Sequence, residues 1–319
     1  MYLYLVRQIK TEVARYKLFP LPLILSFILL GALLMQCVFG NVALRYFAFP
    51  MNLIIGFGIL FLLWTGRDKW WVKECSSLSV SLAGMGLMGI CGLILGLFPQ
   101  LSLQDAGTRN SFANLLGCYQ FTTSYLFIAS LLIFLWVLGS VIVVRLKVRS
   151  MPNIGFALAH FGLWLAVFAG TFGSADTYKV KLAVHRDKPA RIAFEQSGDS
   201  FHLPYEIRMD NFEVIRSGSD VSDTPGYIRN YEATISVLKN DEATVYPVRV
   251  NHPVVFEGDR IYLSGYDMRL GENTRYCVLQ IVRQPWEKFI LAGILMMLAG
   301  FVFLFITGFR AKKMGNELE

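Results

Sequence analysis

Charge is scarce in this chain, and so are histidine and the cysteine patterns that carry chemistry. Of 319 residues only 17% are charged and four are histidine. With 55% hydrophobic residues and a mean hydropathy of +0.48, that scarcity excludes the soluble two-domain protein that the length alone would suggest. Disorder, collagen and coiled coil are excluded too, because 25 Phe, 14 Tyr and 6 Trp bring more buriable surface than such chains carry. The five cysteines, Cys37, Cys75, Cys91, Cys118 and Cys277, form no Cys-x-x-Cys. The chain is therefore neither a thioredoxin-like reductant nor a Cys-x-x-Cys-His cytochrome, and structural zinc lacks its ligands. There is no Gly-x-Ser-x-Gly elbow, no His-Glu-x-x-His and no Gly-rich phosphate loop. No catalytic residue is expected.

What is present is apolar length. Runs of about 20 residues, long enough for a hydrocarbon core of roughly 30 Å, occur near Leu18 to Phe39, Phe47 to Trp64, Leu78 to Phe98, Phe121 to Val144, Ile154 to Phe172 and Phe289 to Gly308. The fold class expected is an integral membrane, α-helical bundle of six transmembrane spans. Trp64, Trp70 and Trp71 lie where an interfacial aromatic belt would sit. No cleavable export signal is expected, since the first apolar run lacks a small-residue cleavage site.

Lys and Arg in the short loops orient the spans. Arg7, Lys10, Arg15 and Lys17 precede the first; Arg67, Lys69 and Lys73 follow the second; Arg145, Lys147 and Arg149 follow the fourth; Arg310, Lys312 and Lys313 follow the sixth. With six spans all four groups share one side, and the positive-inside rule makes that side cytoplasmic. Gly173 to Gln284, with 14 Lys or Arg against 16 Asp or Glu, then lies outside the cytoplasm. The net charge of +7 is thus a topology signal, and no nucleic acid partner is expected.

That outer segment alternates with period two, as in Tyr178 to Val184, Tyr231 to Val237 and Arg260 to Ser264. It reads as an antiparallel β-sandwich or a partly closed barrel of roughly seven to nine strands, inserted between two spans. Its three histidines, His185, His202 and His252, have no metal-like spacing. Cys118 and Cys277 both fall on the outer side, which leaves a disulfide or ordinary packing open.

The fourth histidine, His160, lies inside a span. An ionisable side chain there marks a functional site or a buried polar contact. At about 1.5 Å per residue it sits roughly 9 Å below the cytoplasmic end of the expected helix. A neutral imidazole offers one nitrogen to a haem iron while the other donates a hydrogen bond. Phe156, Leu163, Trp164 and Val167 share that face and are candidate haem contacts. The alternative is a histidine bonded to backbone, with the aromatic stripe as helix packing.

Several motifs in order resemble the ResB family of system II cytochrome c biogenesis proteins. They are Gly96-Leu-Phe-Pro99-Gln100 ending the third span; Gly155-Phe-Ala-Leu-Ala-His160-Phe-Gly162; Val250-Asn251-His252-Pro253; Gly258; Ile261-Tyr262; and Gly265-Tyr266-Asp267. The final span, opened by Pro285-Trp286 and carrying Gly293 and Gly300, fits as well. The resemblance covers Leu78 to Gly308 and leaves the first two spans without a counterpart.

It implies this organisation: a cytoplasmic arm over residues 1–17, two additional helices over 18–64, three helices of the ResB-like core over 65–172, the outer β-rich domain over 173–286, a final helix over 287–309 and a cytoplasmic tail over 310–319. It further implies a bacterial inner membrane protein that works with a CcsA-type partner in haem delivery to apocytochrome c, with His160 as an axial ligand of transiently bound haem b. Membrane lipid and a thioredoxin-like thiol reductant complete the implied partners. Asn251 and His252 become candidates for an external haem or partner contact. Trp70-Trp71 is followed by Val72-Lys73 and falls on the cytoplasmic side, so the family's tryptophan-rich external haem motif is expected on a separate partner chain. A rival reading is a non-haem scaffold or transporter permease whose outer domain grips partner proteins.

Overall fold

The computed structural model describes residues 21–101, 105, 111–147, 151–196, 198–216, 228–240 and 242–316. The expected cytoplasmic arm, and the first three residues of the first span, lie outside the described residues. The chain divides into a helical unit, Met1–Phe172 with Lys288–Glu319, and a second unit, Gly173–Glu287.

The helical unit contains α1 (Leu21–Phe39), α2 (Met51–Thr65), α3 (Trp70–Cys75), α4 (Leu78–Leu97), α5 (Ser111–Leu115), α6 (Tyr125–Arg145), α7 (Met151–Thr171) and α8, which starts at Glu287 and runs to Asn316. Five of them, α1, α4, α6, α7 and α8, are long and apolar enough to cross a bilayer. The second expected span is the 15-residue α2, about 22 Å long and shorter than the other five. A 3-10 turn at Leu44–Phe47 and then Pro50 delay its start. The fourth expected span begins late for a similar reason. Residues Cys118–Thr123 form a 3-10 segment, and the Ser124 hydroxyl caps α6 by accepting from Phe127 N. The fifth begins early, because Pro152 sits in the first turn of α7, where its missing N–H costs nothing.

Helix α6 is the hub. Eleven of its residues are buried, among them Leu131, Leu135, Leu138 and Ile142, and α1, α2, α3, α4 and α7 all pack on it. Its serines need no neighbours, since Ser130 and Ser140 donate to the carbonyls of Leu126 and Trp136 one turn back. The outer helices show large apolar side chains such as Phe27, Phe57, Leu93 and Phe305, an apolar surface that suits lipid. Between α7 and α8 the backbones touch. A Cβ on Gly162 would lie 2.5 Å from the Gly293 carbonyl oxygen, and one on Gly293 2.6 Å from the Gly162 oxygen. Small residues at such spacing are what close helix association requires.

The two N-terminal helices are part of this bundle. Gln36, buried at the end of α1, donates to Asn41 and accepts from Tyr125 N at 3.0 Å, while Asn41 donates to Gln120 and Thr123. In the adjoining loop Gln100 donates to the carbonyls of Phe98 and Cys118 and accepts from Phe121 N at 2.9 Å. Side-chain amides thus satisfy backbone groups that an apolar bundle end leaves open.

The second unit is a single antiparallel sheet of eight strands, β1 (Tyr178–His185), β2 (Ala190–Glu195), β3 (Ser200–Arg216), β4 (Ile228–Lys239), β5 (Glu242–Arg249), β6 (Val254–Phe256), β7 (Asp259–Tyr266) and β8 (Tyr276–Arg283). Their order is β5-β4-β3-β2-β1-β8-β7-β6. Two separate facing sheets, the β-sandwich in its strict sense, are not formed among the described residues. The register of long β3 shifts against both β2 and β4, and such irregularities increase twist. Strands far apart in the order meet inside. Tyr205 of β3 packs on Phe256 of β6 at 5.1 Å, and Phe212 of β3 and Tyr231 of β4 both pack on Tyr266 of β7. The sheet therefore curls on itself. Because β1 lies beside β8, with Tyr178 opposite Arg283, the chain enters and leaves the unit on neighbouring strands.

Candidate functional site

His160 is the tenth of the 21 residues of α7, near the middle of the helix and deeper than a start at Ile154 implies. Its Nδ1 lies 2.8 Å from the Phe156 carbonyl oxygen. A carbonyl can only accept, so Nδ1 is the donor in this contact, and in the neutral ring Nε2 keeps its lone pair. No group among the described residues hydrogen-bonds Nε2. The Phe156 ring stacks on the imidazole at 3.8 Å between centroids and 23° between planes. Beyond Phe156, the Arg145 guanidinium carbon, at the end of α6, lies 5.1 Å from that ring's centroid.

The other expected contacts divide. Leu163 is half-buried and continues the helix face one turn on. Trp164 turns away into the seam with α6, where it is 2% exposed and its Nε1–H donates to the Leu135 carbonyl at 3.0 Å. Its rings stack between Phe161 and Phe168. This is the packing alternative, realised at that residue. No group of three or more His, Cys, Asp or Glu among the described residues could hold a metal ion by itself.

Asn251 and His252 lie in the second unit, at the exposed turn between β5 and β6. Asn251 takes a left-handed φ of 63°, and His252 N donates to the Arg249 carbonyl at 3.1 Å. Asp267 is a turn residue whose Oδ1 accepts from Arg269 N. All five cysteines are free; Cys277 is buried in the sheet core, where burial pushes its thiol up to about 12.

Sequence reasoning passed over Asp259. It is fully buried at the start of β7 and accepts from the hydroxyls of Tyr178 at 2.6 Å and Tyr205 at 2.7 Å, with Arg283 Nη1 at 3.6 Å. Burial, then the bond to Asp259, pushes the Tyr178 hydroxyl up to about 12 and Tyr205 higher still, so both stay donors. The signal was there: an acid in phase with the interior positions Ile261 and Leu263. Beside it, Trp286 Nε1–H donates to Asp176 at 2.6 Å and Arg260 pairs with Glu287.

Residues 150–275 match the ResB-like family. Over that segment the chain is similar to that family. The ResB-like segment takes in His160, Asn251, His252 and Asp259, and it is narrower than the Leu78 to Gly308 expected, covering less than half of the chain. No curated protein matches. Among solved structures, the cytochrome c haem lyase CcmF is similar at 14% identity and a TM-score of 0.35, over 80% of this chain. This chain spans 40% of that protein, and a superposition so loose carries no fold or function across.

Proposed function

We propose that this chain serves c-type cytochrome biogenesis by holding haem within a bacterial inner membrane at His160, together with a CcsA-type partner, for attachment to apocytochrome c on the outer side. The observation that carries this reading is the committed tautomer of His160 inside a ResB-like segment: Nδ1 is tied to Phe156 and Nε2 is open. That donor fits haem iron, which takes a neutral imidazole nitrogen in line with the ring. The CcsA-type partner would supply the second ligand to the iron.

Haem as cargo supplies the iron and the vinyl groups that two cysteine thiols of the cytochrome add to. The chain's own residues bind and orient. Phe156 lies on one face of the imidazole and, with the Nδ1 bond, holds its plane. Apolar helices around the site keep water and oxidant away. With α2 taken as a sixth, short span, both termini fall on the cytoplasmic side and the sheet unit outside, where apocytochrome and a thioredoxin-like reductant would meet it; His252 at the exposed β5–β6 turn is one imidazole available to them.

Purifying the chain with its CcsA-type partner and recording the absorbance spectrum tests this. A haem Soret band that His160→Ala removes is expected. A complex with no Soret band would refute the haem role and leave the scaffold reading; a band unchanged by His160→Ala would refute the ligand assignment.

A further inference from the structure

We propose that Arg145 pairs with a carboxylate of the cargo held at His160, so that the site takes a planar, carboxylate-bearing macrocycle with its acid edge turned to the C-terminal end of α6. This rests on the haem reading above and specifies it.

Arg145, Phe156 and His160 stand in a row, cation on ring on imidazole. A cation–π contact occupies one side of a guanidinium, whose five N–H donors spread as a planar fork. These donors remain available for a two-pronged bond to a carboxylate. Among the described residues no Asp or Glu pairs with Arg145, whereas Arg67 and Lys147 both approach Asp68. A cation near the last carbonyls of α6 is favoured by the helix dipole, which accounts for the charge but not for its seat over the ring that stacks on His160.

The cargo has the complementary need. A carboxylate carried into an apolar span is costly unless a cation meets it. Phe156 is one turn from His160, about 6 Å along the helix, towards the end where Arg145 waits. A macrocycle with its iron on Nε2 and its acid edge the other way would leave both charges unpaired.

The test uses the purified complex of the full-length chain with its CcsA-type partner in detergent micelles, titrated with haem b and with haem b dimethyl ester, whose carboxylates are blocked, while the Soret band is followed. Wild type should favour the free acid by about tenfold, the scale of one charge-assisted pair at a partly exposed site. Arg145→Gln should weaken haem b by that factor and leave the diester unchanged, and Arg145→Lys should keep part of the preference. The diester also controls for folding, since a misfolded variant loses both probes. An equal loss of both probes in Arg145→Gln and Arg145→Lys counts against the assignment, as does a wild-type preference that Arg145→Gln preserves or a wild type without one. If His160→Ala removes the Soret change while the acid-to-ester ratio ignores Arg145, only this inference falls. If wild type gives no Soret change, or His160→Ala keeps it, the haem reading falls with it.

Discussion

Replacing Asp259 by alanine removes the acceptor of two hydroxyls at once. Hydrogen bonds to a charged group contribute about 1.5–3 kcal/mol each, and a buried donor left without a partner incurs its full desolvation penalty. Tyr205 is 2% exposed and has no water to turn to, whereas Tyr178 is only half-buried. The expected loss is therefore about 3–5 kcal/mol, most of it through Tyr205. In a unit of this size that lowers the midpoint of thermal unfolding by roughly 15 °C. Asp259→Asn keeps the shape and one acceptor and should fall between alanine and wild type. Tyr205→Phe should cost about 2 kcal/mol and Tyr178→Phe about 1 kcal/mol. The assay is thermal unfolding of the full chain in micelles, followed by near-ultraviolet dichroism, where the tyrosines of the sheet report. The decisive comparison is the double-mutant cycle between Asp259→Ala and Tyr205→Phe, with a coupling of at least about 1 kcal/mol expected. A loss under about 1 kcal/mol, or losses that add within about 0.5 kcal/mol, would show that the carboxylate does not organise the sheet.

The same network gives a pH dependence. Tyr178 is pushed up to about 12 from an ordinary value of 10.0, so its contribution is full below pH 10 and is lost as pH rises through 12; absorbance at 295 nm should show tyrosines ionising together with loss of sheet, and ionisation of every tyrosine near pH 10 in a folded unit would contradict it. Gly162→Val should cost at least about 2 kcal/mol in thermal stability, since α7 and α8 must separate to admit the side chain; a neutral result would mean the seam is looser than described. Trp164→Phe should cost about 1–2 kcal/mol by leaving the Leu135 carbonyl without its indole donor, yet leave the haem spectrum unchanged. A shifted Soret band in that variant would put the indole back beside the cargo.

Hydropathy made the apolar helices legible because twenty apolar residues have few other uses. Their ends were less so. Ser124 and Pro152 set the starts of α6 and α7 through local hydrogen bonding and backbone restriction, which moved His160 towards mid-helix. Phe156, His160, Leu163 and Trp164 fall within one arc of the helical wheel, so spacing cannot separate them. Trp164 is singled out by a carbonyl on another helix, and Phe156 stays with His160. Period-two alternation was likewise enough for the strands of the second unit. The pairing of β1 with β8 was not, because it joins residues about a hundred positions apart and carries no local signature. Whether alternating strands curl or stack in two layers depends on contacts such as Tyr205 with Phe256, which sequence order hides.

The polar side chains of the helical unit suggest a sharper test of His160 than truncation. Ser130, Ser140, Thr171 and Thr307 all donate to a carbonyl one turn back, at 2.6–3.0 Å, which is how a hydroxyl becomes tolerable in an apolar helix. His160 does the same through Nδ1. If satisfying that bond were its whole role, a hydroxyl would serve, and His160→Ser should leave the chain folded at a cost of about 1 kcal/mol for the lost stacking on Phe156. What serine cannot replace is Nε2. The expected outcome is a chain that folds and purifies with its partner but shows no Soret band, with thermal unfolding and absorbance measured on the same sample. Retention of the band would make the imidazole a packing residue; collapse of the fold would make it structural.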